Sequence, residues 1–223
     1  MKEINSPVRT ESHDEFLNSG NNCYPSVGKH EELQSELADN EFKKIKSPVF
    51  SYFKKPLFNL FPSHTVSLVD VFHLIRRKDF NWATDKLRKI QDVIASRNFK
   101  AKNFDYVTFS GLFTQRANAY LQKHSGLLTI DFDHLKDIPN LKSSLLNDRY
   151  FETELLFTSP SGNGLKWIIP IDLTKAKHKE YFNAVGNYIL KNYQVKIDEN
   201  GKDISRACYL PHDPEVFINP KYL

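Results

Sequence analysis

Apolar residues along this chain recur with two different periods, and the switches between them divide it into elements. Over Ser67–Arg77 (SLVDVFHLIRR) the apolar positions are Leu68, Val71, Phe72 and Ile75, the spacing of one helix face. Trp82–Arg97 repeats that spacing with Leu87, Ile90, Val93 and Ile94, and places the basic residues Arg88, Lys89 and Arg97 off the apolar face. His178–Asn192 is a third helix, and shorter helices are expected at Asn118–Lys123 and around Leu141–Leu146. Runs rich in β-branched and aromatic residues predict strands at Val49–Phe53, Tyr106–Ser110, Glu154–Thr158, Leu165–Ile171 and Ile204–Leu210. Leu127–Asp133 (LLTIDFD) is the clearest strand of all. Ser159–Gly164, between two strands, suits a hairpin or a tight anion loop, so those strands are expected to pair antiparallel. Lys54–Phe61 is an irregular link, and Asp213–Pro220 a proline-bounded tail.

Helices come first, and strands interleaved with single helices follow. That order predicts an α+β domain over residues 47–223. Residues 1–46 differ in kind, being rich in Ser, Asn, Glu and Lys and poor in large aliphatics. They are expected to form a mostly disordered tail, or a docking segment, with one weakly amphipathic stretch at Glu31–Lys44.

Composition adds limits. Seventeen phenylalanines in 223 residues are enough for a real core. No apolar run approaches the ~18–20 residues that cross a bilayer, and the N-terminus has no apolar stretch of signal-peptide type. A cytoplasmic protein with no membrane partner is therefore expected. Cys208 and His212 are spaced like half a zinc site without a second pair nearby, so Cys208 is read as a semi-buried free thiol and Cys23 is left alone. Residues 1–48 hold six Lys/Arg and nine Asp/Glu, so a chain of net charge +4 keeps +7 on the remainder. A basic body of this kind suits a polyanionic partner.

Three segments carry chemistry. Asp131 and Asp133 end a strand as D-F-D, where residues i and i+2 share a face. Two carboxylates held together repel, and a divalent cation relieves the repulsion. The same pattern also describes two solvated acids before a turn. Ser159-Pro160-Ser161-Gly162-Asn163-Gly164-Leu165-Lys166 combines glycines that admit close backbone approach, two hydroxyls and a cation, as a phosphate loop requires. It is no Walker loop, because a strand follows instead of a helix, and Asn-Gly also favours an ordinary hairpin. Lys202-Asp203-Ile204-Ser205-Arg206 offers an acid and a cation three residues on, either a completed metal site or a surface ion pair. Taken as a set, an acid pair, a phosphate-type loop and a third acid match two-metal nucleotidyl transfer.

In this order the segments resemble the archaeo-eukaryotic primase (primase-polymerase) superfamily. The closest likeness is to the BT4734-like, or VirE N-terminal, domain of Bacteroidetes mobile-element proteins. The likeness rests on Val107–Gly111 (VTFSG), His124–His134 (HSGLLTIDFDH), Thr158–Lys166 (TSPSGNGLK), Gly201–Tyr209 (GKDISRACY) and His212–Pro220 (HDPEVFINP). It implies an RRM-like antiparallel catalytic sheet with flanking helices and an N-terminal α/β unit. By resemblance, Asp131, Asp133 and Asp203 hold Mg²⁺ or Mn²⁺, with Asp213 the second choice for the third acid. Ser159, Ser161, Gly162, Gly164 and Lys166 hold the triphosphate, and Arg206 lies near nucleotide or template. The wider superfamily places His where this chain has Lys166, which keeps a cation but cannot act as a neutral imidazole.

The function so implied is a DNA primase or primase-polymerase in mobile-element replication. It would take (d)NTPs and a single-stranded DNA template, the latter reached from Arg88, Lys89 or Arg116. Related proteins often continue into a helicase and no helicase motif is present here, which leaves open a separate helicase partner, a stand-alone core, a split gene product or a remnant. The rival is a catalytically inactive nucleic-acid-binding module of the same fold. A DxD sugar transferase explains Asp131 and Asp133 but leaves the Ser/Gly loop and Asp203 idle.

Overall fold

A computed structural model describes residues 45–223. Residues 1–44 of the expected tail, with the weakly amphipathic stretch at Glu31–Lys44 and with Cys23, lie outside the described residues. The described part is α+β, with five α-helices and antiparallel sheets, and no helix in it is long and apolar enough to cross a membrane.

The chain opens with β1 (Val49–Phe53), β2 (His64–Ser67) and α1 (Leu68–Arg76). Ser67 caps α1: its Oγ accepts from Asp70 N at 3.2 Å, and Asp70 Oδ2 accepts from Ser67 N at 2.8 Å. This reciprocal box satisfies two N–H groups that a helix start leaves unpaired. The predicted stripe of Leu68, Val71, Phe72 and Ile75 is buried. The expected single helix over 82–97 is instead two, α2 (Asn81–Arg88) and α3 (Val93–Asn103). Asp92 causes the break, since its side chain accepts from Ala95 N at 2.7 Å and starts a new helix. No residue of α3 is fully buried.

Next come β3 (Tyr106–Thr108), β4 (Gly111–Phe113), β5 (Leu121–His124) and β6 (Leu127–Phe132). The helix expected at Asn118–Lys123 is only a 3₁₀ turn at Asn118–Tyr120; Leu121–His124 pairs antiparallel with β4 as a small ribbon. The chain continues through α4 (Ile138–Leu146), β7 (Leu155–Thr158), β8 (Leu165–Pro170), α5 (His178–Tyr193), β9 (Cys208–Tyr209) and β10 (Phe217–Ile218). The strand expected over Ile204–Leu210 is reduced to β9, and the expected tail at Asp213–Pro220 contributes β10.

Two four-stranded sheets result, ordered β2-β1-β3-β9 and β10-β7-β8-β6. In the second, β7 and β8 form the predicted hairpin, β8 pairs with β6 through Ile130↔Trp167, Asp131↔Lys166 and Phe132↔Leu165, and β10 borders β7. Strand alternation divides its side chains. Leu128, Ile130, Phe132, Leu165 and Trp167 pack with α4 and α5, while Leu127, Phe157 and Ile168 pack against the first sheet and α1. Asp131 and Lys166 belong by register to this second face. One acidic and one basic side chain therefore sit where the alternation would otherwise place core.

Candidate functional site

Asp131 is the last but one residue of β6 and is only 7 % exposed, whereas Asp133, just past the strand, is exposed. Their carboxylates converge as i and i+2 geometry dictates, and a third carboxylate joins them from Asp198. One oxygen from each of the three lies within 4.8 Å of the others. Asp198 is held there by its backbone: its N–H donates to Asp131 O at 2.8 Å, docking the segment after α5 along the outer side of β6. Its Oδ1 caps the following 3₁₀ turn through Asn200 N at 3.1 Å, and Oδ2 pairs with Arg206 Nη2 at 2.9 Å.

The third carboxylate expected at Asp203 is therefore not in the cluster, and Asp198 takes that place. Asp203 lines the same cleft, but its Oδ1 accepts from Ser205 N and Oγ at 3.1 and 3.2 Å. Asp213 is buried elsewhere and fastens the end of β7, accepting from Thr158 N at 2.6 Å. Cys208 is a buried free thiol, pushed by burial up to about 12, and His212 bonds Arg77 O at 2.9 Å.

Lys166, opposite Asp131 in the ladder, closes an ion pair on Asp131 Oδ2. Burial works against both charges. For Lys166 the attraction of Asp131 outweighs it and the ammonium is held above its ordinary value. For Asp131 burial prevails over Lys166, Asp133 adds repulsion, and the carboxyl lies above the usual carboxylate range. Asp131 Oδ1 is buried and has no hydrogen-bond partner. A desolvated carboxylate oxygen beside two further carboxylates is the donor set a hard divalent cation takes, so these residues fit Mg²⁺ or Mn²⁺.

Cations ring the acids in a cleft of about 230 Å³. Lys166 and Arg206 come from the sheet side, and Lys100 and Arg116 from the N-terminal side. Lys100, on α3, reaches Ser161 Oγ at 3.3 Å. Burial lowers its pKa, Lys166 adds to that, and Asp133 and Asp131 oppose it. Arg116 donates to Leu57 O at 3.2 Å and lies 5.3 Å from the Tyr106 ring centre, with its Nε buried and unpartnered.

The Ser/Gly loop does not itself line the cleft and connects to it through Lys166 and through Lys100 on Ser161; part of its glycine requirement is internal. Gly162 has φ +80°, which Cβ-bearing residues rarely adopt. Gly164 is pressed against the backbone oxygen of Phe132, leaving no room for a side chain. Ser159 N donates to Gly164 O and Gly162 N to Ser159 O, both at 2.9 Å, so those two amides close the turn. Of its two hydroxyls, Ser159 Oγ is buried without a partner, and Ser161 Oγ meets Lys100. Arg88 buttresses the loop, its Nε donating to Pro160 O at 3.4 Å.

Sequence reasoning missed Asp198 and Lys100. Asp198 precedes a polar turn much as Asp203 does, and only the backbone bond to Asp131 distinguishes them. Lys100 reads as one of several basic residues on a solvated helix.

Fold and site thus define an α+β domain with a carboxylate cluster set in a cationic cleft. The family model described as "BT4734-like, N-terminal domain" matches residues 98–217, more than half of the chain, and the chain belongs to that family. The match spans Lys100, Asp131, Asp133, Lys166, Asp198 and Arg206. No curated protein and no solved structure matches it.

Proposed function

We propose that this domain is a metal-dependent nucleotidyltransferase of primase or primase-polymerase type. It would transfer a nucleotide from a (d)NTP to a 3′-hydroxyl on a single-stranded DNA template. The observation that carries this reading is a three-carboxylate cluster, two of whose members, Asp131 and Asp133, line one cleft with four cations. A triphosphate has the complementary pattern, with dense negative charge to be neutralised and a single phosphorus to be positioned.

Asp131, Asp133 and Asp198 would hold Mg²⁺ or Mn²⁺, which when bound supplies charge neutralisation at the reacting phosphate. Lys166 and Lys100 reach phosphate oxygens from opposite walls, with Ser159 and Ser161 as hydroxyl partners. Arg116 and Arg206 flank the opening. Lys166, kept charged by Asp131, serves as a fixed cation and not as a proton acceptor. Positioning and electrostatics then account for most of the rate, as in phosphoryl transfer generally. Replication of a mobile element, with a separate helicase, follows from the resemblance to the primase superfamily and rests on analogy.

One observation favours a second reading, a nucleic-acid-binding module without turnover. The Lys166 ammonium already neutralises Asp131, the charge a metal would otherwise meet. An extension assay with Mg²⁺ or Mn²⁺, primed or unprimed single-stranded template and labelled NTPs or dNTPs separates the two. Product from the native chain that disappears in Asp131→Ala/Asp133→Ala supports the transferase. No product with either metal, with DNA binding intact in both proteins, leaves the binding module.

A further inference from the structure

Trp82 stands on α2 with 62 % of its surface exposed, while the chain's other tryptophan, Trp167, is fully buried. It borders a groove of about 660 Å³ whose charged walls are Lys78, Lys86 and Lys89 against Asp85 alone. Lys86 Nζ lies 5.0 Å from the centre of the indole and 5.7 Å from that of Phe99, whose ring is 6.1 Å from Trp82. Between Lys78 and Asn103 the chain carries seven Lys/Arg and three Asp. The same pair of helices touches the Ser/Gly loop, through Arg88 on Pro160 and Lys100 on Ser161, and Lys100 lines the carboxylate cleft.

An exposed indole ordered among lysines is the composition that binds single strands: bases stack on the ring and cations follow the backbone. An apolar protein partner would place a buried lysine ammonium against its own surface, which is costly. Duplex DNA presents no free base face. We infer that the Trp82 groove is a second nucleic-acid contact, separate from the carboxylate cleft, in which single-stranded DNA stacks a base on Trp82 while Lys78, Lys86 and Lys89 hold its phosphates. The inference does not depend on turnover in the cleft.

Only two tryptophans are present and one is fully buried, so the difference in emission between the native chain and Trp82→Ala reports the exposed ring. The full chain would be titrated with oligo-dT in the absence of nucleotide and divalent metal, with fluorescence read alongside anisotropy of labelled strand. Saturable quenching is expected, with about tenfold weaker binding in Trp82→Ala and most of the affinity kept in Trp82→Phe. Lys86→Ala and Lys89→Ala should each reduce the slope of log affinity against log salt by about 0.7. Unchanged Trp167 emission in Trp82→Ala shows that the variant is folded. Binding without quenching and with equal affinity in Trp82→Ala overturns the inference, as does the absence of oligo-dT binding. Equal displacement by duplex DNA, or tighter quenching by oligo-rU, overturns the assignment to single-stranded DNA.

Discussion

Lys166 stands directly across from Asp131 in the β6–β8 ladder, and its ammonium caps one oxygen of that carboxylate while the other remains buried and unpartnered. The pair lies on the sheet face that otherwise packs against the first sheet. Removing one member of a buried pair leaves an uncompensated charge. Lys166→Met should therefore destabilise the domain by about 3–5 kcal/mol. Mg²⁺ should restore part of the loss, because the freed carboxylate becomes a better metal ligand. Thermal melts of both proteins with and without Mg²⁺ check this: the Mg²⁺-induced rise in Tm should be larger for Lys166→Met. An equal rise in the two proteins would place the ion elsewhere.

The Ser/Gly loop makes a prediction that separates geometry from ligand binding. A methyl at Gly164 would collide with the carbonyl of Phe132, so β6 and the loop must part. Gly164→Ala should cost about 1–3 kcal/mol of stability. At Gly162 the obstacle is mainly the left-handed backbone, with the side chain of Arg88 3.0 Å from the added carbon. Gly162→Ala should cost about 1–2 kcal/mol, and Gly162→Asn less, since asparagine tolerates that conformation. Urea midpoints ranked with Gly164→Ala below Gly162→Ala, and Gly162→Asn highest of the three, would agree.

How much of this was legible follows from the range of the interactions involved. The β7–β8 hairpin and β6 could be read because alternation, length and the Asn-Gly turn are local signals. Asp131 and Asp133 converge through strand geometry alone. The helix break at Asp92 was hidden because Ile90, Val93 and Ile94 continue the helical spacing, although Val93 and Ile94 are exposed. β5 was hidden because a four-residue polar strand exists only through its partner β4. Asp198 enters the cluster through one backbone bond to Asp131, and Lys100 enters through the docking of α3 on the loop. Neither contact has a signature in its own segment.

His124 and His178 form a pH-sensitive pair, with Asp203 of the cleft wall near His178. His124 Nε2 lies 3.1 Å from His178 Nδ1. Burial, with His124 nearby, lowers His178 from 6.5 to about 4, and burial lowers His124 as well. His178 also begins α5, where the helix dipole disfavours positive charge. A depressed histidine binds its proton more readily in the unfolded chain, so its contribution is complete above pH ~6.5 and is lost as pH falls towards 4. A shift of this size amounts to about 3 kcal/mol. Urea unfolding at several pH values should show stability falling across that window, and His178→Asn should flatten the profile while lowering stability at neutral pH.

The proposed metal site is tested most sharply by comparing two aspartates five residues apart. Asp198 contributes an oxygen to the cluster with Asp131 and Asp133, while Asp203 accepts two bonds from Ser205 and lies outside it. Charge count among oxygen ligands sets divalent-cation affinity. Asp198→Asn removes one of three charges and also releases Arg206, whose guanidinium is then free to approach the remaining pair. Both effects oppose a cation, and Mn²⁺ affinity should fall by about tenfold or more. Asp203→Asn removes a charge from the cleft wall without removing a ligand, so the change should stay within about threefold. Titration of Mn²⁺ followed by its paramagnetic resonance signal measures both without reference to activity. Asn at 198 weakening Mn²⁺ more than Asn at 203 supports the cluster drawn from the structure. The reverse order would restore Asp203 as the third carboxylate and require the segment after α5 to shift along β6 when the ion binds.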